Sequence, residues 1–292
     1  MKNQIKKLNF EEFPPALLEM ADPPAELYVV GSWPRDNAVF LTVVGSRKYS
    51  SYGQEVCEEL IAGLAGYPIV IVSGLALGID TIAHRAALSA GLITIAVPGS
   101  GLEREVLHPH SNKRLADEIV ERGGALLSEY PPTMPAGIHT FPRRNRIMAA
   151  LAKGALVIEA GLKSGTLITA RLALDYNRDV YAVPGSIFSL GSAGTNRLIR
   201  QGATPITSSQ ELLEALGFDP PAGERDANQL QLNLTELSPD EKKVVELLSV
   251  EPLTRDDLIR ALGLPTSSVN SLLGIMEIKG MIKETLGEIR LS

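Results

Sequence analysis

Val39-Phe-Leu-Thr-Val-Val-Gly-Ser-Arg47, followed by a helical pattern from about Tyr52 to Ala65, decides the fold. Six mostly apolar, β-branched or aromatic residues end in Gly-Ser, and a longer segment with helical period follows. That is a strand running into a helix. The alternation recurs along the chain. Ile69-Val-Ile-Val72 precedes a helical pattern from about Ile79 to Ala90, and Leu92-Ile-Thr-Ile-Ala-Val97 precedes one near Lys113 to Arg122. Ala125-Leu-Leu127 precedes an arginine-rich helical segment, Leu156-Val-Ile158 precedes Thr166–Tyr176, and Val180-Tyr-Ala-Val183 precedes Arg197–Gln201. Strands so continuously apolar belong to a parallel sheet with helices on both faces. The class is therefore α/β, a Rossmann-like, doubly wound, mostly parallel sheet over residues 38–216.

Residues 1–37 read as a Pro-rich lead-in that packs on the sheet domain, and residues 217–234 read as a linker, polar and without period. Beyond it, Ser238-Pro-Asp-Glu241 is a helix-start signal, with Ser as N-cap and Pro at the first helical position. Three short helical patterns and a final pair of strands around a Gly turn make residues 235–292 winged-helix-like.

Composition narrows the function classes. The chain has 292 residues, 45% of them hydrophobic, which suits two globular domains. A net charge of −6 excludes a generally basic nucleic-acid coat, so any anion site is a local patch. The single Cys57 excludes an intrachain disulfide and cysteine-based zinc sites, and its helical context makes it a packing residue. No apolar run approaches the ~20 residues of a membrane span, and Met1-Lys-Asn-Gln-Ile-Lys-Lys7 lacks a signal-peptide core. A cytoplasmic protein without membrane contact is expected.

Ligands of open α/β sheets bind beyond the carboxyl ends of the strands. Here those ends carry Gly45-Ser46-Arg47, Ser73-Gly74 with Gly78, Pro98-Gly-Ser-Gly101, Lys163-Ser164-Gly165-Thr166 and Pro184-Gly185-Ser186. Glycine admits close approach of backbone N–H groups to an anion, although tight strand-to-helix turns also need it sterically. Several such turns, with Arg47, Lys163 and the 143–146 arginines, suggest a strip that holds an extended anion instead of one phosphate pocket. The usual cofactor and catalytic motifs fail. Gly99-Ser-Gly101-Leu-Glu-Arg104 is not a dinucleotide fingerprint, Lys163-Ser164 lacks P-loop spacing, and no G-x-S-x-G occurs. The four histidines are scattered, and His108-Pro-His110 reads as a loop. No cofactor, metal or catalytic residue is expected.

Val43-Val-Gly-Ser-Arg47, Ser73-Gly-Leu-Ala-Leu-Gly-Ile-Asp-Thr-Ile-Ala-His84, Phe141-Pro-Arg-Arg-Asn-Arg-Ile147, Ser164-Gly-Thr-Leu-Ile-Thr-Ala170, and Ala182-Val-Pro-Gly185 with Gly194-Thr-Asn196 resemble the signature blocks of the DNA-processing protein A (DprA/Smf) family, over about residues 20–210. The resemblance implies a homodimeric single-stranded-DNA binder that protects incoming DNA and passes it to the RecA recombinase during natural transformation. It places DNA contacts on these blocks, and on Asn112. Two departures stand out: Leu77 where the family often has a basic residue, and His108-Pro-His-Ser-Asn112 where Tyr-Pro is usual. The N-terminal helical domain of some members is absent or reduced. The alternative is a nucleotide-binding or nucleotide-cleaving Rossmann enzyme related to phosphoribohydrolases. Thr169, standing where that group's carboxylate is required, disfavours it.

If Pro142 starts its helix, Arg144 shares a sector with Ile147, Met148 and Leu151, which makes it a structural ion pair. Arg143 and Arg146, three residues apart on one side, are the expected phosphate ligands. Asn145 bonds a base edge or caps a strand end. Phe141 is either a core plug or a base-stacking platform, and the sequence does not choose.

Overall fold

The computed structural model describes residues 4–34, 37–219, 237–285 and 287–291. It divides into two compact units, Met1–Asp219 and Pro220–Ser292. Most of the expected linker, from residue 220 onward, lies outside the described residues.

The first unit runs β1 (Lys6–Lys7), α1 (Pro15–Leu18), β2 (Tyr28–Gly31), β3 (Val39–Val44), α2 (Ser51–Ala62), β4 (Ile69–Ser73), α3 (Ile79–Ser89) and β5 (Ile93–Ala96). It continues with α4 (Lys113–Glu121), β6 (Ala125–Ser128), α5 (Thr140–Leu151), β7 (Gly154–Val157), α6 (Thr166–Asp175), β8 (Asp179–Ala182), α7 (Ala193–Arg200), β9 (Thr204–Pro205) and α8 (Ser209–Ala215). Its nine strands lie in the order β1-β2-β6-β5-β4-β3-β7-β8-β9. From β3 the chain winds outward through β4, β5 and β6, then returns to place β7 on the other side of β3. The β3–β7 boundary is thus the point where the winding reverses, and loops from both halves diverge above it.

Alternation along the strands builds a core on each face. Val70 and Val72 pack with Ile147, Met148 and Leu151 of α5, whereas Ile69 and Ile71 pack with Cys57, Ile61 and Ile82 of α2 and α3. Cys57 is fully buried there, and burial pushes its thiol pKa up. Residues 1–37 pack on the sheet through Phe13, Leu17 and Met20, and they also extend it. β2 pairs antiparallel with β6, and β1 with β2. A four-residue strand between prolines, paired only at the sheet's margin, has too little pattern to stand out from a loop.

The second unit holds α9 (Pro239–Leu248), β10 (Leu253–Thr254), α10 (Arg255–Leu262), α11 (Thr266–Ile278), β11 (Ile282–Thr285) and β12 (Glu288–Leu291). Its three strands lie in the order β10-β12-β11. The Ser238 hydroxyl accepts from the Glu241 N–H at 3.2 Å while the Glu241 carboxylate accepts from the Ser238 N–H at 2.8 Å, the reciprocal cap that the sequence signals. Val244, Leu248, Leu258, Val269, Leu273, Met276 and Ile289 form its own core.

Candidate nucleic-acid interface

A crevice of about 540 Å³ opens where the winding reverses, between the turn after β3 and the loop before α6. Arg47, Lys48 and Lys163 line it and are exposed. A short turn aims the first two. The Ser46 hydroxyl donates to the Lys48 carbonyl at 2.6 Å and accepts from the Lys48 N–H at 3.0 Å. The far wall is tied to this turn, because the Thr166 hydroxyl donates to the Gly45 carbonyl at 2.9 Å. Ser164 in turn donates to the Thr166 hydroxyl at 3.0 Å. Gly165, just ahead of α6, has open space where a Cβ would stand, so this part of the wall is uncluttered.

Phe141 forms part of the crevice floor and is half-buried, so it is neither a core plug nor a free platform. The Arg47 guanidinium carbon lies 5.3 Å from its ring centroid, a cation–π contact. His108 packs against the same ring, centroids 5.8 Å apart. Asn145 also lines the crevice, its Oδ1 accepting from Arg144 Nε at 3.2 Å.

Among the described lining residues the one carboxylate is Asp80, buried and accepting from the Gly74 N–H at 3.1 Å. Burial raises its pKa against the pull of Arg144. Thr169 is buried in the wall.

The arginine cluster separates into two roles. Arg144 is buried and donates to the carbonyls of Gly74, at 2.6 Å, and Val97, which fastens the ends of β4 and β5 together. Burial lowers its pKa to about 10, with Asp80 opposing the shift, so it remains a cation near neutral pH. The expected ion pair is corrected: Arg144 is structural, but its direct partners are backbone carbonyls and not a carboxylate. Arg146 is a correction: it does not face the crevice but is buried, bonding Glu129 and the Asp22 carbonyl. α5 begins at Thr140, two residues before Pro142, and its Arg146 side lies against the β6 end that carries Glu129. Arg143, with 59% of its side chain exposed, leans on the same carboxylate at 3.4 Å and does not line the crevice. The pair acts together, on Glu129 and not on the crevice.

The family model for DNA recombination-mediator protein A matches residues 5–217. The chain belongs to this family. A second model, the DprA winged helix domain, matches residues 229–287. The chain is 47% identical over 208 residues to protein Smf of Escherichia coli, covering 71% of this chain and 55% of that protein. It therefore spans little more than half of that relative's length. It is 45% identical over 207 residues to DNA processing protein DprA of Streptococcus pneumoniae, covering 70% and 72%. Among solved structures, the X-ray structure of that Streptococcus pneumoniae protein superimposes with a TM-score of 0.68 at 42% identity, covering 74% of this chain and 75% of that one. DNA processing protein A from Helicobacter pylori, described for its single-stranded DNA binding mode, superimposes at 0.65 with 32% identity, covering 74% and 96%.

Within this DprA-family chain, several residues expected to touch DNA also have framework roles. Asn112 is buried and donates to the carbonyl of Leu75 and the hydroxyl of Thr81, both at 2.8 Å, which holds the β4–α3 loop. Asn196 spends both ends of its amide on the Gly185 backbone, at 2.9 and 3.2 Å. Four glycines are required by close packing. A Cβ on Gly45 would strike Ile79, one on Gly74 would strike Arg144, and one on Gly185 would strike Ser192. Gly78 has φ +83° and would strike the Ser46 carbonyl. Two residues outside the signature reading matter. Lys48 supplies a cation to the crevice, and buried Glu159 accepts from the Ser50 N–H at 2.9 Å and hydroxyl at 2.6 Å. Lys48 was legible as a cation next to Arg47. Glu159, lying in an apolar run, gave no such sign.

Proposed function

We propose that this chain is a non-catalytic recombination mediator that binds single-stranded DNA along the crevice. The observation that carries this reading is an open crevice at the reversal of the winding, lined by three exposed cations, with Phe141 beneath Arg47. Phosphates are met by Arg47, Lys48 and Lys163, and a base face is met by Phe141. The one lining carboxylate is tied to the backbone, which leaves an anionic strand little to repel it. In this reading Asn145, Ser164, Gly165 and Thr166 shape the walls, and the chain works as a cytoplasmic homodimer that hands its strand to the RecA recombinase in natural transformation. Membership of the recombination-mediator family supports it, as does the single-stranded DNA binding described for the Helicobacter pylori relative.

The test is a salt titration with single-stranded oligonucleotides. Each phosphate contact adds roughly −0.7 to the log–log slope. Arg47→Ala and Lys163→Ala are each expected to weaken binding and flatten the slope by about that amount. Parent-like slopes in both variants would place the strand elsewhere. Release of base from nucleoside monophosphates, abolished by Thr169→Ala, would favour the hydrolytic alternative.

A further inference from the structure

The loop between β8 and α7 ends in an apolar tip that the crevice does not use. Ile187 is 84% exposed, Phe188 91% and Leu190 87%. Three large apolar side chains so free of cover within four residues mark a contact surface.

The loop beneath them is firmly built. Asn196 clamps Gly185 from both sides, and the Tyr52 hydroxyl donates to the Pro184 carbonyl at 2.8 Å. The Ser189 N–H donates to the Ser186 carbonyl at 3.0 Å. The tip is thus held out by a rigid base, which lowers the ordering cost of a ligand.

The loop is also joined to both walls of the crevice. On one side, the Ala160 N–H donates to the Gly191 carbonyl at 2.8 Å and the Gly194 N–H to the Ala160 carbonyl at 2.7 Å. Ala160 leads directly into Gly161 and Lys163 of the crevice wall. On the other side, buried Glu159 packs against Gly191 while its carboxylate holds Ser50, two residues beyond Lys48. Half-exposed Tyr49 and Tyr52 stand on that connection. Hydrogen bonds and packing therefore connect the turn that carries Arg47 and Lys48, through Ser50, Glu159 and Tyr52, to the base of the loop that carries Phe188.

Resting on the reading of the crevice as a single-strand site, we infer that the 186–190 loop is a base-stacking extension of it, with Phe188 as its principal face. A single strand presents phosphates and unpaired bases at every nucleotide. The crevice offers three cations to the phosphates but one aromatic floor to the bases. The loop supplies an apolar face, with no charged residue among 186–190 to attract or repel phosphate.

The experiment compares the full-length parent, Phe188→Ala, Phe188→Tyr and Arg47→Ala on an oligothymidylate and on an abasic strand of equal length, over several salt concentrations. Phe188 is almost wholly exposed, so its removal leaves the core intact. Phe188→Ala is expected to bind oligothymidylate roughly ten-fold more weakly with the salt slope unchanged. On the abasic strand it is expected to bind like the parent, and Phe188→Tyr is expected to restore the loss. Parent-like affinity of Phe188→Ala for oligothymidylate overturns the inference, and so does an equal loss on both strands. A loss that coincides with a halved molar mass in light scattering also overturns it, assigning the tip to a second copy of the chain. If Arg47→Ala flattens the slope while Phe188→Ala changes nothing, the crevice stands and the extension falls. If the parent binds neither strand, both fall.

Discussion

Neighbouring arginines in one helical turn carry different consequences, because burial decides what each can do. Arg146 and Glu129 are both nearly excluded from water, with 8% and 4% of their side chains exposed. Removing one partner of such a pair strands the other, which costs about 3 kcal/mol or more. Arg146→Ala is therefore expected to lower the unfolding midpoint clearly, while the folded fraction keeps the parent's salt slope for DNA. Arg143→Ala is expected to change stability by less than about 1 kcal/mol, since its guanidinium is exposed, and to leave the slope unaltered. A flattened slope in either variant would return these residues to the DNA path. What the residues revealed from sequence follows the same division. Chemical type and strand-end position sufficed to place Arg47 and Lys163 at the crevice, whereas the partner that claims Arg146, Glu129, lies on another element. Helical period placed Arg144 on the apolar side of α5, but the side facing β6 carries no periodic mark that distinguishes a buried pair from a phosphate site.

The elements most legible in the chain were those whose burial is two-sided. β3, β4 and α3 lie within a residue or so of their sequence readings because continuous apolar runs bounded by glycine leave few alternatives. The marginal β2, β9 and the short α8 escaped, because two to seven residues at a sheet edge carry too little period. Within α3, His84 is wholly buried, its Nδ1 2.7 Å from the Thr94 hydroxyl and its Nε2 without a partner among the described residues. Burial, aided by the Arg144 charge, lowers its pKa from 6.5 to about 3. The folded chain thus keeps the ring neutral where the unfolded chain protonates it. More protons bind to the unfolded state below pH 6.5, so stability declines as pH falls from there towards 3. In His84→Gln, the decline of the urea midpoint between pH 6.5 and 5, above the carboxylate range, is expected to be shallower than in the parent. Identical slopes would show that the ring accepts its proton in the fold.

For the molecule as a whole, the two units divide the labour by charge. The first places Arg47, Lys48 and Lys163 in one crevice despite a net acidic chain. The second has a winged-helix pattern, but α11, which stands where such a fold places its groove-reading helix, carries no basic residue along its length. The exposed positions of α11 include Ser267, Ser268, Asn270, Ile275 and Glu277, and Lys279 stands just beyond its end. Lys279 is committed to Glu241 at 2.7 Å, and Arg255, which approaches α11 through Asn270, is paired with Glu284. Residues 238–292 also contain more Asp and Glu than Lys and Arg. Phosphate attraction dominates non-specific affinity, and this face supplies almost none of it. The unit's role is therefore predicted to be structural or protein-contacting. A chain ending after Asp219, the limit of the first compact unit, is expected to bind single-stranded oligonucleotides within a few-fold of full length, with the same salt slope. A fragment of residues 235–292 is expected to leave duplex DNA unshifted at physiological salt. Tight duplex binding by the fragment, or loss of single-strand binding by a truncated chain that stays folded, would assign the DNA contact to the winged helix after all.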